Sequence, residues 1–537
     1  MSESQLSVLR GILLCGSLLG CASSPRFKDA PPIWRVDDDQ HIAEPSAREY
    51  EAKEYFAKVF FMQRLDRTLE LRDLEPAHNA NSLEEVPDST WFQNRIGVRK
   101  LAPAEVARGH DAGGPPRPPF SVVSGKVGGD KPGFVMKDVT GRRFIVKFDS
   151  LRNPEQQTAA GVVVNRALWA AGYNVPSDHV FTFARRELEL APGARYIDPE
   201  ERSHPFTPNK LDEILATSPR SPGDHYRALA SQLLEGEPKG GFSPTGTRDD
   251  DPNDRVRHEH RRELRGLRIL AAWLGHTDIK EDNTLDMYVE RNGRRFLVHY
   301  LLDFSEALAG HAAEKDRPED GWEHFIDWEM QTKATFTFGL WQRPWEEVRE
   351  TRWPAIGAFT AEPFDPRAWR EAYPFWPFAE MDAVDAYWGA KLVMRFERAH
   401  LEAIVAEGKL SEPEAARYLV DTLLARRDAI GRAYLDALSP LDALSLTPGR
   451  LCMTDLALRY GLVKSGTVEW LGKGSDVRLS RALPPSGRLC VRVSEQSDAY
   501  TVFRMRVRRP DGARPAMELH FKAGPKPRIL GLIRDAG

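Results

Sequence analysis

Asp278, Lys280 and Asn283 fall within one short stretch, H-T-D-I-K-E-D-N (276–283), and Asp303 follows in D-F-S (303–305). These side-chain types can work on a charged group. An aspartate can take a proton from a hydroxyl. A carboxylate and an amide oxygen are hard ligands of the kind Mg2+ accepts. An ammonium can neutralise negative charge as it builds. The step from Asp278 to Asn283 is short enough for one loop to serve a reacting group and a cation together. The competing reading is a polar turn in which Asp278 and Asn283 only bond the backbone.

Several elements must hold these residues in place. Residues 255–275 read as a helix with Leu264, Leu267, Leu270, Trp273 and Leu274 on one stripe, delivering the chain into His276. After Asn283, L-D-M-Y-V and R-F-L-V-H-Y-L-L read as a hairpin that turns at Asn292-Gly293 and ends at Asp303. Upstream lies a β-meander: 120–127, then 133–139, then R-F-I-V-K-F-D. Alternation points Lys147 and Ile145 of the third run to one face. Gly125, Lys126, Gly128 and Gly129 cluster at the first turn. A helix over 154–171 opens at Pro154 and closes at Gly172, with Glu155 as its only acid. Residues 174–190 suggest one or two more strands, and 190–250 read as irregular with a helix near 224–235.

The order and spacing resemble the protein-kinase-like superfamily over roughly residues 118–440. His276, Asp278 and Asn283 match H-R-D-L-x-x-x-N, Asp303-Phe304 matches the start of D-F-G, and the Lys147 strand is similar to V-A-I-K. The resemblance is to divergent members. Ser305 replaces the glycine, the glycine cluster does not spell G-x-G-x-x-G, and Glu155 lies unusually close to Lys147. It implies an α+β, two-lobed protein-kinase-like fold, with a small β-meander-plus-helix lobe at 118–190 and a larger helical lobe at 191–447. It also implies ATP and Mg2+ (or Mn2+), and transfer of the terminal phosphate. Asp278 would be the base and Lys280 would steady the transferred group. Asn283 and Asp303 would hold the metal. Lys147 would clamp the inner phosphates, with Glu155 as its partner and Gly125, Lys126 and Gly128 covering the nucleotide.

The remaining chain frames this region. At 537 residues, two or three domains are expected. A net charge of −4 with dispersed Lys and Arg argues against general nucleic-acid binding. Arg10, the apolar run Gly11–Gly20 and L-L-G-C resemble a bacterial lipoprotein signal (1–21) cut before a lipidated Cys21, which would place the protein in the cell envelope, anchored at the outer membrane. A plain signal peptide is the alternative. No other stretch is long and apolar enough to span a membrane.

Residues 22–117 read as an N-terminal extension and linker, in which Trp91, Phe92 and Ile96 could plug a hydrophobic site while Asn94 and Arg95 make polar bonds. The polar run 248–262 fits no standard ion-binding loop and reads as a solvated loop, with Asn253 or Asp254 capping the next helix. Seven of the thirteen Trp lie within 322–376, as an aromatic platform or, in the preferred reading, as packing. Ser411 to Glu414 reads as a capping box. From 448 onward alternation predicts a small β-rich, sandwich-like module, where Cys452 and Cys490 can close one disulfide or stay as buried thiols.

Three functions compete. The first is an envelope-anchored phosphotransferase acting on a protein or small-molecule acceptor. The second is a non-catalytic kinase-like lipoprotein that binds an envelope component or protein partner. The third is transfer of a nucleotidyl group on the same fold. An exported protein meets little ATP, which favours the second; intact Asp278, Asn283 and Asp303 favour an enzyme.

Overall fold

Alternating apolar residues build the first sheet. The structure, a computed structural model, describes residues 26–63, 74–126, 133–198, 202–310, 317–472, 476–496 and 498–535; Cys21 and Gly128 lie outside them. Strands β1 (Phe120–Gly125), β2 (Gly133–Lys137) and β3 (Arg143–Lys147) form the expected meander. Helix α1 (Gln156–Ala171) follows, then β4 (Asp178–Ala184), β5 (Leu188–Ile197), β6 (Ser203–Pro205), helix α2 (Pro208–Ala216), β7 (Arg220–Ser221) and β8 (His225–Gln232). The sheet order is β4-β8-β3-β2-β1-β5-β6, with β7 paired to β8.

Residues 225–232 are thus a central strand and not the helix expected near 224–235. Tyr226, Ala228 and Ala230 alternate onto one face and enter the core with Phe144, Val146, Phe183 and Leu211. The sheet therefore continues past residue 190 to Gln232. On its other face Val180 and Leu229 pack against Val162 of α1. Gly161 allows this approach, because a Cβ there would sit 2.7 Å from the Leu229 side chain. Helix α1 is buried on nearly every side, as its continuous Ala/Val run requires.

The second region is mainly helical. Helix α3 (Arg262–Leu274) ends at Gly275, whose φ of 58° is left-handed. The His276 N–H returns to the Ala271 carbonyl at 2.9 Å, which closes the helix and fixes the direction of the following loop. Arg262 and Arg265 ion-pair with the fully buried Asp385 of helix α4 (Ala383–Met394) at 2.8 and 3.2 Å. Helices α5 (Arg398–Glu407) and α6 (Pro413–Tyr434) complete this core. No side-chain cap forms at α6: Glu412 holds the capping position, and the Ser411 N–H goes to Glu155.

Strands β9 (Glu237–Pro238), β10 (Thr284–Arg291) and β11 (Arg294–Leu301) form a small sheet. The β10–β11 ladder runs unbroken from Thr284↔Leu301 to Arg291↔Arg294. Asn292 and Gly293 turn it with φ values of 52° and 74°, the left-handed pair a two-residue hairpin needs.

The polar run 248–262 is not a solvated loop. Arg248, Asp254, His258 and Arg261 are buried. Arg248 pairs with Asp286 at 2.9 Å, Asp286 with His299 at 2.7 Å, and Asp254 with His258 at 2.7 Å. Mutual pairing replaces water here, so neither Asn253 nor Asp254 is left to cap α3. Of the tryptophans, Trp369 is buried, Trp353 packs on the same core and Trp345 donates to Glu323, whereas Trp328 is half exposed.

The extension straps the two regions. Phe92 and Ile96 enter the main core. Trp91 stacks on His299 at 3.6 Å, with the Arg261 guanidinium over its ring at 4.3 Å. Arg95 donates to the carbonyls of Trp169 and Tyr173, closing the end of α1. The C-terminal module packs two sheets around Met453, Trp470, Met505, Leu519 and Phe521. Its first strand, Leu441–Thr447, begins a few residues before 448. Cys452 and Cys490 face each other on adjacent strands and are joined by a disulfide.

Truncating Trp91 removes a stacked ring from a site that cannot refill. Trp91→Ala is expected to cost about 3–5 kcal/mol, read as a lowered denaturation midpoint. An unchanged midpoint would mean the strap adds nothing to stability.

Candidate active site

The loop after α3 carries the first group of residues. Asp278 is buried, and its carboxylate is held from two sides. Lys280 Nζ lies 2.9 Å from Oδ1, and Asn283 Nδ2 donates to Oδ2 and to the Asp278 carbonyl, both at 2.7 Å. The Lys280 ammonium also sits 5.0 Å from the Tyr373 ring centre. Burial works against its charge, but Asp278 outweighs that and raises its pKa. His276 is buried edge-on against Phe304, with ring centroids 5.8 Å apart, and burial lowers its pKa. Its Nδ1 lies 3.5 Å from the Glu306 carbonyl oxygen.

The hairpin carries the second group. Asp303 sits two residues beyond β11 with φ 53°, an uncommon conformation for a non-glycine residue. Its Oδ1 accepts from the Ser305 hydroxyl at 2.8 Å and its Oδ2 meets Lys147 Nζ at 2.8 Å. Ser305, standing where the resemblance leads one to expect glycine, thus orients the carboxylate. Lys147 comes from the end of β3, so this ion pair bridges the first sheet and the hairpin. The Leu302 N–H bonds to the Asn283 carbonyl at 2.9 Å, which sets the Lys147–Asp303 pair beside the loop of Asp278, Lys280 and Asn283. Asp282 feels the charges of Lys280, Asp278 and Asp303 together.

Glu155 corrects the expectation. It does not pair with Lys147. Only a few residues of chain separate the end of β3 from α1, and Glu155 adopts φ 69° at the helix entrance. Its carboxylate turns outward and accepts the Ser411 N–H at 2.8 Å, just ahead of α6. Negative charge is favoured there by the helix dipole. Gly125 lies buried at the end of β1, where a Cβ would meet Tyr196 at 2.6 Å, so close strand packing accounts for this glycine. Lys126 pairs its backbone with Gly133 at 3.1 Å and lies within electrostatic reach of Asp282 beside the loop.

Sequence reasoning missed Asp178. The register places Asp178 opposite Ser231, and Ser231 opposite Ile145. All three therefore share the face that Lys147 points to. Asp178 is buried, and among the described residues its Oδ1 has no hydrogen-bond partner. Burial pushes its pKa up to about 6, against the Ser231 hydrogen bond and the charges of Lys147 and Arg166. The signal was an acid opening the apolar run D-H-V-F-T-F-A, a costly placement for a purely structural strand.

The donor set also fits a hard cation. Asp303 offers carboxylate oxygens, and the Asn283 amide, with its nitrogen committed to Asp278, presents its oxygen elsewhere. One carboxylate and one amide suit Mg2+ or Mn2+ shared with phosphate oxygens, rather than a cation caged by protein alone.

No family model matches the chain, and neither does any curated protein. Among solved structures, two of the Golgi casein kinase match, each over 73% of this chain and 93% of its own. One is 11% identical; the other, with Mn/ADP bound, is 13% identical, and both have a TM-score of 0.30. At that level the likeness carries no weight for residues or activity, which rest on this chain's own geometry.

Asp178 makes stability depend on pH. Its folded pKa lies above the usual 3.8, so the carboxyl is most favourable to the fold below pH 4. That contribution is lost as pH rises through about 6. Asp178→Asn is expected to match the native chain in stability near pH 4 and to exceed it at pH 8 by up to about 3 kcal/mol. Denaturant melts at both pH values measure this, and a pH-independent difference would contradict it.

Proposed function

We propose that this chain is a kinase-like phosphotransferase that transfers the terminal phosphate of ATP to a hydroxyl acceptor. The observation that carries the reading is the 2.8 Å contact of Lys147 with Asp303, beside a loop that already orients Asp278 with Lys280 and Asn283. A strand-borne ammonium, two carboxylates and an amide oxygen would then line the proposed cleft. That is the inventory for positioning and neutralising phosphate.

Each side chain has a task. Lys147 exchanges Asp303 for the inner phosphates of the nucleotide. Asp303, freed on that side and steadied by Ser305, joins the Asn283 oxygen in holding the divalent cation. When bound, that cation shields phosphate charge. Asp278 orients the acceptor hydroxyl and takes its proton as the oxygen bonds to phosphorus. Lys280 stays charged across neutral pH and steadies the transferred group, while ADP departs.

A second reading, a binding protein without catalysis, is favoured by one observation: Glu155 does not fix Lys147. The N-terminal signal reading belongs to the same proposal, with the body tethered through a lipidated Cys21. No helix among the described residues is long and apolar enough to cross a membrane.

ATP with Mg2+ is expected to raise the melting temperature, and ATP without metal to do so less. Asp303→Ala should abolish the metal-dependent part. Asp278→Asn should keep nucleotide binding and lower transfer by at least about 100-fold. Label arriving from the α instead of the γ position would indicate nucleotidyl transfer. Absence of any nucleotide-dependent shift would remove the enzymatic reading altogether.

Lipid attachment is checked separately by metabolic labelling with a fatty acid. Label should enter the native chain and be lost in Cys21→Ser.

A further inference from the structure

A polar pocket of about 400 Å³ opens away from the cleft, between the N-terminal extension and the turn of the β10–β11 hairpin. Five arginines line it, Arg35, Arg95, Arg99, Arg291 and Arg294, with three aspartates, Asp38, Asp39 and Asp88. The carboxylates are already committed. Asp38 accepts both the N–H and the hydroxyl of Thr90 at 2.9 Å. Asp88 accepts the backbone and side-chain amides of Asn94 at 2.7 and 2.9 Å. Asp39 is shared by Arg35 and Arg294 at 3.0 and 3.1 Å.

The arginines are less well matched. Arg99 pairs with Glu105 at the exposed rim. Among the described residues, Arg95 and Arg291 ion-pair with no carboxylate. Arg291 meets the phenol of Tyr300. Arg95 is buried and bonded only to the carbonyls of Trp169 and Tyr173 and to Gln93 Oε1, which leaves further N–H donors on its guanidinium. Burial, and then Arg99, lower its pKa to about 10. His110 feels the same surplus: burial, followed by Arg95, Arg166 and Arg291, disfavours its charge. Asp88 opposes the shift of Arg95 from a distance, without an ion pair. A buried guanidinium so weakly countered is costly, and a polar pocket beside it is where more negative charge can enter.

We propose that this pocket binds a small, multiply charged oxyanion, held by Arg95, Arg99 and Arg291. The volume suits a small ligand. Guanidinium forks suit phosphate or carboxylate oxygens. The position gives such an anion a consequence for the cleft. Arg291, Asn292 and Arg294 belong to the hairpin turn, while Asn283 and Asp303 lie at the hairpin's opposite end. An anion would brace the extension against the hairpin that positions both. Such binding does not require the chain to be an enzyme.

Pyrophosphate is the probe, used with EDTA at constant ionic strength and on Lys147→Ala, which removes the phosphate-binding amine of the cleft. Saturable stabilisation with sub-millimolar affinity is expected. Arg99→Ala/Arg291→Ala should weaken it by at least about tenfold. Arg35→Ala, an exposed rim change that cannot unfold the chain, should weaken it by a smaller factor. Arg481→Ala, on the C-terminal module, should leave it unchanged. Absence of saturable binding, or equal binding by the Arg99/Arg291 double variant, overturns the proposal.

Discussion

The candidate site depends on one hydrogen-bonded ladder. Eight residues of β10 pair with eight of β11 without a bulge, so the two ends of the hairpin must lie side by side. Asn283 precedes the first strand and Asp303 follows the second. The Leu302 N–H bonds to the Asn283 carbonyl at 2.9 Å and carries the register one step beyond the ladder. A slip of one residue would turn every side chain to the other face. Asp286 and His299 would leave their buried pair and the two cation-ligand candidates would separate. The Asn292-Gly293 turn fixes this register locally.

Around the hairpin the molecule uses charge where many proteins use apolar packing. Arg248, Asp286 and His299 form one buried group, Asp254, His258 and Arg261 another, and Asp385 holds two arginines of α3. Such groups add little net stability over apolar packing, but breaking one partner is costly. Their directional bonds oppose sliding or rotation of the elements they join. That is useful for α3, whose final turn sets where Asp278 begins, and for the strap, whose Trp91 lies over His299.

Lys147 is the link between the two regions of this frame. It bridges the first sheet and the hairpin through Asp303, on a sheet face that also carries the buried Asp178. The acid near α1 that sequence spacing offered is engaged elsewhere, with the backbone ahead of α6. The ammonium is therefore set by the hairpin rather than by α1. Nucleotide phosphates would compete with Asp303 for it, so nucleotide and cation occupancy of the cleft would be linked.

The sequence by itself determined the local pieces. The 3.6-residue stripe gave α3, period-two alternation the meander and the C-terminal strands, and Asn292-Gly293 the hairpin. These signals are read within a few residues, and from them His276, Asp278, Asn283 and Asp303 could be placed on two loops. Only the tertiary structure decided what depends on partners far apart in the chain. Residues 225–232 became a central strand because β3 and β4 left a place between them. Glu155 turned away because a short connection forced a left-handed entry into α1 and Ser411 offered an N–H. Asp178 came onto the Lys147 face through two strand registers that no local pattern encodes. The run 248–262 became interior because opposite charges from the extension and hairpin met it there, and burial is a property of the assembled fold.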